Sequence, residues 1–120
     1  MEFNNSSPIY MQIADDIRRQ ILTGTLTAGD QLMSTTQYAT TLRINPATAN
    51  KAFAILVDDG VVEKRRGIGM FVTETAVSIL REDGRETYLD DTLKPALDEG
   101  LALGLSPQQI LSLTTTHLAS

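Results

Sequence analysis

The stretch from Asn45 to Val72 constrains this chain more than any other, because it fences a helix at both ends and passes straight into two short extended runs. Asn45 is a strong N-cap residue, and Pro46 follows at the first helical position, where its missing N–H costs nothing. Ala49, Ala52, Phe53, Leu56 and Val57 then recur at the i, i+3, i+4, i+7, i+8 spacing of one helix face. Ala47, Lys51, Ala54 and Asp58 fall on the opposite face, with Thr48 and Asn50 at its flanks. Gly60 supplies the stop. After it come VVEK (61–64), RRGIG (65–69) and MFV (70–72), and two glycines between β-prone runs predict a hairpin.

Upstream, Ile9, Ile13, Ile17 and Ile21 repeat every four residues with Asp15, Asp16, Arg18 and Arg19 off the stripe, which predicts an amphipathic helix ending at Gly24. Ser34 and Gln37 have capping-box spacing ahead of a short helix through Tyr38, Ala39 and Leu42. Helix, short helix, capped helix, hairpin is the order of a winged helix-turn-helix. A helix that enters the major groove needs small and polar side chains near its start, so that the backbone can approach base edges. Ala47, Thr48, Asn50 and Lys51 meet that need, while Asp58 and Asp59 lie about 15 Å further along the axis at 1.5 Å per residue. Lys64, Arg65 and Arg66, followed by Gly67 and Gly69, put positive charge at a hairpin tip with little side-chain bulk to obstruct a phosphate.

The overall charge argues against this reading until it is divided. The 120 residues carry a net charge of −5, yet residues 1–72 hold seven basic and seven acidic side chains, and the excess lies in residues 73–120, with three basic and eight acidic. Screening confines each charge to roughly 8 Å at physiological salt, so an acidic tail does not cancel a basic surface elsewhere. With no cysteine there is neither a disulfide framework nor a cysteine-based metal or redox site. No apolar run reaches the roughly 18 residues of a membrane helix, and the opening MEFNNSSPIY lacks a signal-peptide pattern. A cytoplasmic protein is expected, without membrane contact. Downstream, Ala76, Val77, Ile79 and Leu80 predict a helix ending near Gly84. Leu89, Leu93, Leu97 and Leu101 predict a second, and Ser106-Pro107-Gln108-Gln109 opens a third. The expected architecture is mostly α with a small β-hairpin: a winged helix-turn-helix over residues 1–72 and a helical module over 73–120.

These residues resemble a known family. PIYMQIADDIRRQILTGTLTAGDQL (8–32), INPATANKAF (44–53) and VEKRRGIGMFV (62–72) are similar to the opening, recognition helix and wing of the GntR family of bacterial transcription regulators. LGLSPQQIL (103–111) is similar to its YtrA subfamily, whose members carry a small helical dimerisation module. The resemblance implies a homodimeric repressor on a palindromic operator in double-stranded DNA, with a small-molecule effector as a further possibility, one seat for it being among Tyr88 and the C-terminal leucines. It also implies that Ser34 starts the support helix, and that Asn45, Thr48, Asn50 and Lys51 contact DNA from the recognition helix. Arg66 and Gly67 match the wing. With Thr36, Arg43, Lys64, Arg65 and Gly69, these form the candidate DNA-binding set. Five positions depart from the family pattern: in Met33-Ser34-Thr35-Thr36, which stands for Pro-Ser-x-Arg, Met33 and Thr36 differ, and Asn50 stands for a frequent Arg, Ile68 for a basic wing residue and Met70 for Thr.

One such domain offers about three to five phosphate-contacting groups, whereas specific binders use roughly six to ten. DNA binding is therefore expected to need a dimer, with Leu89, Leu93, Leu97 and Leu101 as its seam. Packing of that stripe on its own domain is the competing reading. Gly67-Ile68-Gly69 lacks the third glycine and the following helix of a dinucleotide loop. His117 is the single histidine, and no nucleophile–base pair, cofactor loop or metal set accompanies it, so neither a catalytic residue nor a cofactor is expected. Glu82, Asp83, Glu86, Asp90 and Asp91 read as a solvated acidic face. The alternative function is a winged-helix protein-interaction module without specific DNA binding.

Overall fold

A computed structural model describes residues 2–120, in two compact units that divide between Glu82 and Asp83. The first unit contains α1 (Ile9–Leu22), α2 (Thr35–Leu42), α3 (Pro46–Asp58), β1 (Val62–Arg65), β2 (Gly69–Val72) and the first turns of α4 (Ala76–Tyr88). Its core is built from the faces that the periodicity marks. Ile13, Ile17 and Ile21 of α1 meet Ala52, Phe53 and Leu56 of α3, closed by Val61 and by Val62 and Val72 of the hairpin. Tyr38 of α2 meets Phe53 edge to face at 5.5 Å, the offset geometry that aromatic quadrupoles favour.

The caps fix where these helices start. Ser34 Oγ accepts from the Gln37 N–H at 3.1 Å while Gln37 Oε1 accepts from the Ser34 N–H at 3.4 Å, so both halves of the capping box are made. Asn45 Oδ1 accepts from the Ala47 N–H at 2.8 Å, with Pro46 in the first turn of α3. Between α2 and α3, Arg43 adopts the left-handed conformation at φ 57°. The hairpin pairs Val62 with Val72 and Arg65 with Gly69, so β1 is shifted one residue along from VVEK (61–64), β2 begins one residue earlier than MFV (70–72), and the tip is Arg66-Gly67-Ile68. A third short segment borders β2: Gln31 pairs with Phe71, and the Leu32 N–H donates to the Met70 carbonyl at 2.8 Å.

The first unit extends ten residues past Val72, because Ala76 and Leu80 of α4 are buried in its core. The stop expected near Gly84 does not occur. The helix continues through it, widens to a π-helical stretch over Leu89–Leu93, and resumes as α5 (Lys94–Ala102). A helical glycine costs about 1 kcal/mol relative to alanine, too little to end a helix by itself. In the second unit α6 (Pro107–Ala119) starts at a complete Ser106–Gln109 capping box. Gly100 of α5 admits Ile110 of α6 so closely that a Cβ there would lie 3.0 Å from Ile110 Cδ1.

Candidate nucleic-acid interface

The loop that ends at Ser34, the middle of α3 and the hairpin line one cleft. Ser34, Thr35, Asn50, Lys64, Arg65, Gly67, Gly69 and Met70 surround a volume of about 330 Å³. Chain folding therefore brings six of the predicted contact residues to one place, from three segments of sequence. Asn50 sits there because it lies beside the buried Ala49–Ala52–Phe53 face of α3 rather than on it. Thr35 and Met70 join them although neither belongs to the predicted contact set. Both are partly buried at the junction of α2 and β2, and no local pattern distinguishes them from core-edge residues.

The wing is held by side chains as well as by its ladder. Gln31 Nε2 donates to the Ile68 carbonyl at 3.0 Å, and Gly69, at φ 144°, makes room for it. The positive φ favours glycine at this position, and a Cβ there would also meet Gln31 Nε2 at 2.7 Å and displace its amide. The remaining contact candidates lie outside the cleft lining. Thr36 lines a separate hollow with Met33, Gln37, Thr40 and Thr41. Asn45 is committed as a cap, Thr48 is partly buried in the first turn of α3, and Arg43 and Lys51 are exposed.

The cations of the interface are not equivalent. Arg65 is occupied by its own hairpin: its Nε and Nη2 lie 3.1 and 2.9 Å from Glu63 Oε1, and its guanidinium stands 4.1 Å from the Phe71 ring centroid. Lys64 and Arg66 join no ion pair among the described residues, and neither does Lys51, whose ammonium lies 4.1 Å from the centroid of the Tyr10 ring. Acidic charge at the far end of α3 is partly used internally, since Asp59 pairs with Arg18 of α1. Asp58 lines the hollow beside Asn50 and Lys64, so a carboxylate borders the basic region rather than standing clear of it.

Among the described residues the seam candidates are only partly covered. Leu89, Leu97 and Leu101 are 51%, 37% and 51% exposed, Leu93 is partly buried, and no residue from Asp83 to Ser120 is buried. Leu103, Leu111, Leu113 and Leu118 are exposed too, and the four-residue repeat did not point to them.

Comparison with known proteins accords with this arrangement. The profile of the family described as bacterial regulatory proteins, gntR family, matches residues 9–72. The uncharacterised HTH-type transcriptional regulator YhcF of Bacillus subtilis is 31% identical over 110 residues, covering 92% of this chain and 89% of its own. The HTH-type transcriptional repressor YtrA of the same organism is 32% identical over 106 residues, covering 88% and 81%. A solved GntR family transcriptional regulator from Listeria monocytogenes superposes with a TM-score of 0.74 at 32% identity, over 95% of this chain and 98% of that one.

Proposed function

This chain belongs to the GntR family of bacterial regulatory proteins, and we propose that it acts as a homodimeric repressor gripping a palindromic operator through two copies of the cleft described above. It is a DNA-binding transcription regulator and not an enzyme. Among the described residues no helix is long and apolar enough to cross a membrane. In this reading the protein works in the cytoplasm, beside its operator.

The observation that carries the reading is the convergence of Ser34, Asn50, Lys64 and the Gly67–Gly69 wing on one exposed cleft. In this reading the start of α3 enters the major groove, where Thr48 and Asn50 meet base edges, while Arg66 and the wing backbone follow the phosphates. Thr36, Arg43, Asn45, Lys51 and Lys64 flank the duplex, and Arg65 stiffens the hairpin, its guanidinium being already engaged by Glu63 and Phe71. Exposed leucines on α5 and the π-helical stretch support dimerisation. Each leucine fully buried between two copies contributes about 1.5–3 kcal/mol.

Selection of bound duplexes from a random pool tests the function directly, and is expected to return a two-fold symmetric site. Affinity for that site falls steeply with salt, since each neutralised phosphate adds about 0.9 to the slope of log K against log salt. Arg66→Ala weakens binding to selected and random duplexes alike. A flat salt response with no selected sequence would instead identify a protein-docking module.

A further inference from the structure

The recognition helix holds a single cation, Lys51, and the structure gives it an unusual neighbour. Its Nζ lies 4.1 Å from the centroid of the Tyr10 ring, near the start of α1, 41 residues away in sequence. A lysine side chain is long and flexible, and fixing it at a phosphate sacrifices rotamer freedom. A carboxylate neighbour would fix the ammonium but neutralise it. The carboxylates nearby on α1 are directed elsewhere: Asp15 pairs with Arg18, and Asp16 accepts from Gln20 Nε2 at 2.9 Å. An aromatic face attracts the cation through its quadrupole and leaves the net charge intact. Arg65 marks the contrast, since Glu63 cancels its charge on the hairpin.

We infer that Tyr10 is a positioning residue for DNA binding: its ring holds the Lys51 ammonium, still fully charged, where α3 meets a phosphate. The inference rests on the reading that α3 faces DNA. It explains how one lysine serves on a helix where Asn50 replaces the family's frequent arginine. Tyr10 also packs against the core edge, and leucine preserves that apolar role while removing the π face.

The test compares Tyr10→Phe, Tyr10→Leu, Lys51→Met and the Leu/Met double variant in the full chain, on a selected duplex over a range of salt. Tyr10→Phe retains affinity and salt slope. Tyr10→Leu weakens binding about five- to thirtyfold per dimer, the ordering cost of two lysine side chains no longer held in place before binding, and lowers the slope by up to about two. In the Lys51→Met background, Tyr10→Leu adds no further loss. Equal losses in Tyr10→Phe and Tyr10→Leu would overturn the inference in favour of a direct hydroxyl contact. Additive losses in the double variant, or an unchanged slope in Tyr10→Leu, would reduce Tyr10 to a packing residue. Failure of the unmodified protein to select any duplex would instead refute DNA binding itself.

Discussion

Two stripes with the same four-residue spacing meet opposite fates in this molecule. Ile13, Ile17 and Ile21 on α1 are no more than 2% exposed, with Ile9 at the helix start 40% exposed, whereas Leu89, Leu97 and Leu101 stand between 37% and 51% exposed and Leu93 is partly buried. What lies across from each stripe makes the difference. The isoleucines face α3 and the hairpin within a unit that closes its own core. The leucines belong to residues 83–120, a length at which a chain seldom buries enough apolar surface to fold alone. Periodicity thus reports that a face must be covered, and leaves open whether the chain itself or a second copy covers it.

The largest effects should separate the two stripes. If the stripe is the seam of a dimer, Leu101→Ala removes, in each copy, the half of that side chain its own chain leaves exposed, about 1.5–3 kcal/mol in all, and is expected to raise the dimer dissociation constant about 10- to 150-fold. Light scattering across a dilution series checks this, and the melting of the first unit should hardly change. Phe53→Ala does the reverse. It leaves a cavity beneath Tyr38 costing about 3–5 kcal/mol, read as a lowered midpoint in denaturant, while helical association of the second unit persists. If Leu101→Ala lowered the midpoint and left the protein dimeric, the leucine stripe would have to be packed within its own chain.

A smaller effect sharpens the comparison inside the first unit, between backbone fitness and surface chemistry. Arg43 occupies the left-handed region, at φ 57°, in the turn between α2 and α3. That conformation costs a non-glycine residue about 1–2 kcal/mol, while glycine gives back about 0.4–1 through its freer unfolded chain. Arg43→Gly is therefore expected to stabilise the first unit by about 0.5–1 kcal/mol in denaturant titration. The same change should weaken binding to the selected duplex, if the guanidinium is the reason arginine is kept there. A variant both more stable and equally tight would remove Arg43 from the DNA-binding set.

Elements decided by local chemistry are legible in the sequence. Ser34 with Gln37, Asn45 with Pro46, and Ser106 with Gln109 start helices where their spacing says, because a cap needs only its own backbone. The hairpin is legible as a hairpin but not in its register. A one-residue shift of β1, with β2 starting at Gly69, moves Arg65 from the tip into the ladder, where Glu63 and Phe71 claim it. Gly84 misleads because its cost is spread over a long helix, and the π-helical turn at Leu89–Leu93 leaves no composition signal. The cleft at Ser34, Asn50 and Lys64 follows from recognising the fold, whereas Gln31 under Ile68 and Tyr10 under Lys51 depend on contacts 37 and 41 residues apart. No periodicity encodes such distances.

The smallest expected effect concerns pH and belongs to the first unit. Burial against Phe53 raises the Tyr38 hydroxyl above its usual pKa of 10.0, and the negative charge of Asp16 on α1 raises it further. Below pH 10 the phenol is protonated in folded and unfolded chains alike, so it adds no pH dependence there. As pH climbs past 10, the unfolded chain ionises first while the folded one keeps its proton, and stability declines until the folded phenol also ionises. Thermal midpoints at pH 9 and 10.5 should therefore fall further for the unmodified protein than for Tyr38→Phe, which retains the ring contact and has nothing to titrate. Asp16→Asn should shrink the same decline in part, because it removes the second cause and leaves the first. An identical alkaline decline in Tyr38→Phe would assign the sensitivity to other groups, and the junction of α1, α2 and α3 would then tolerate a phenolate as readily as a phenol.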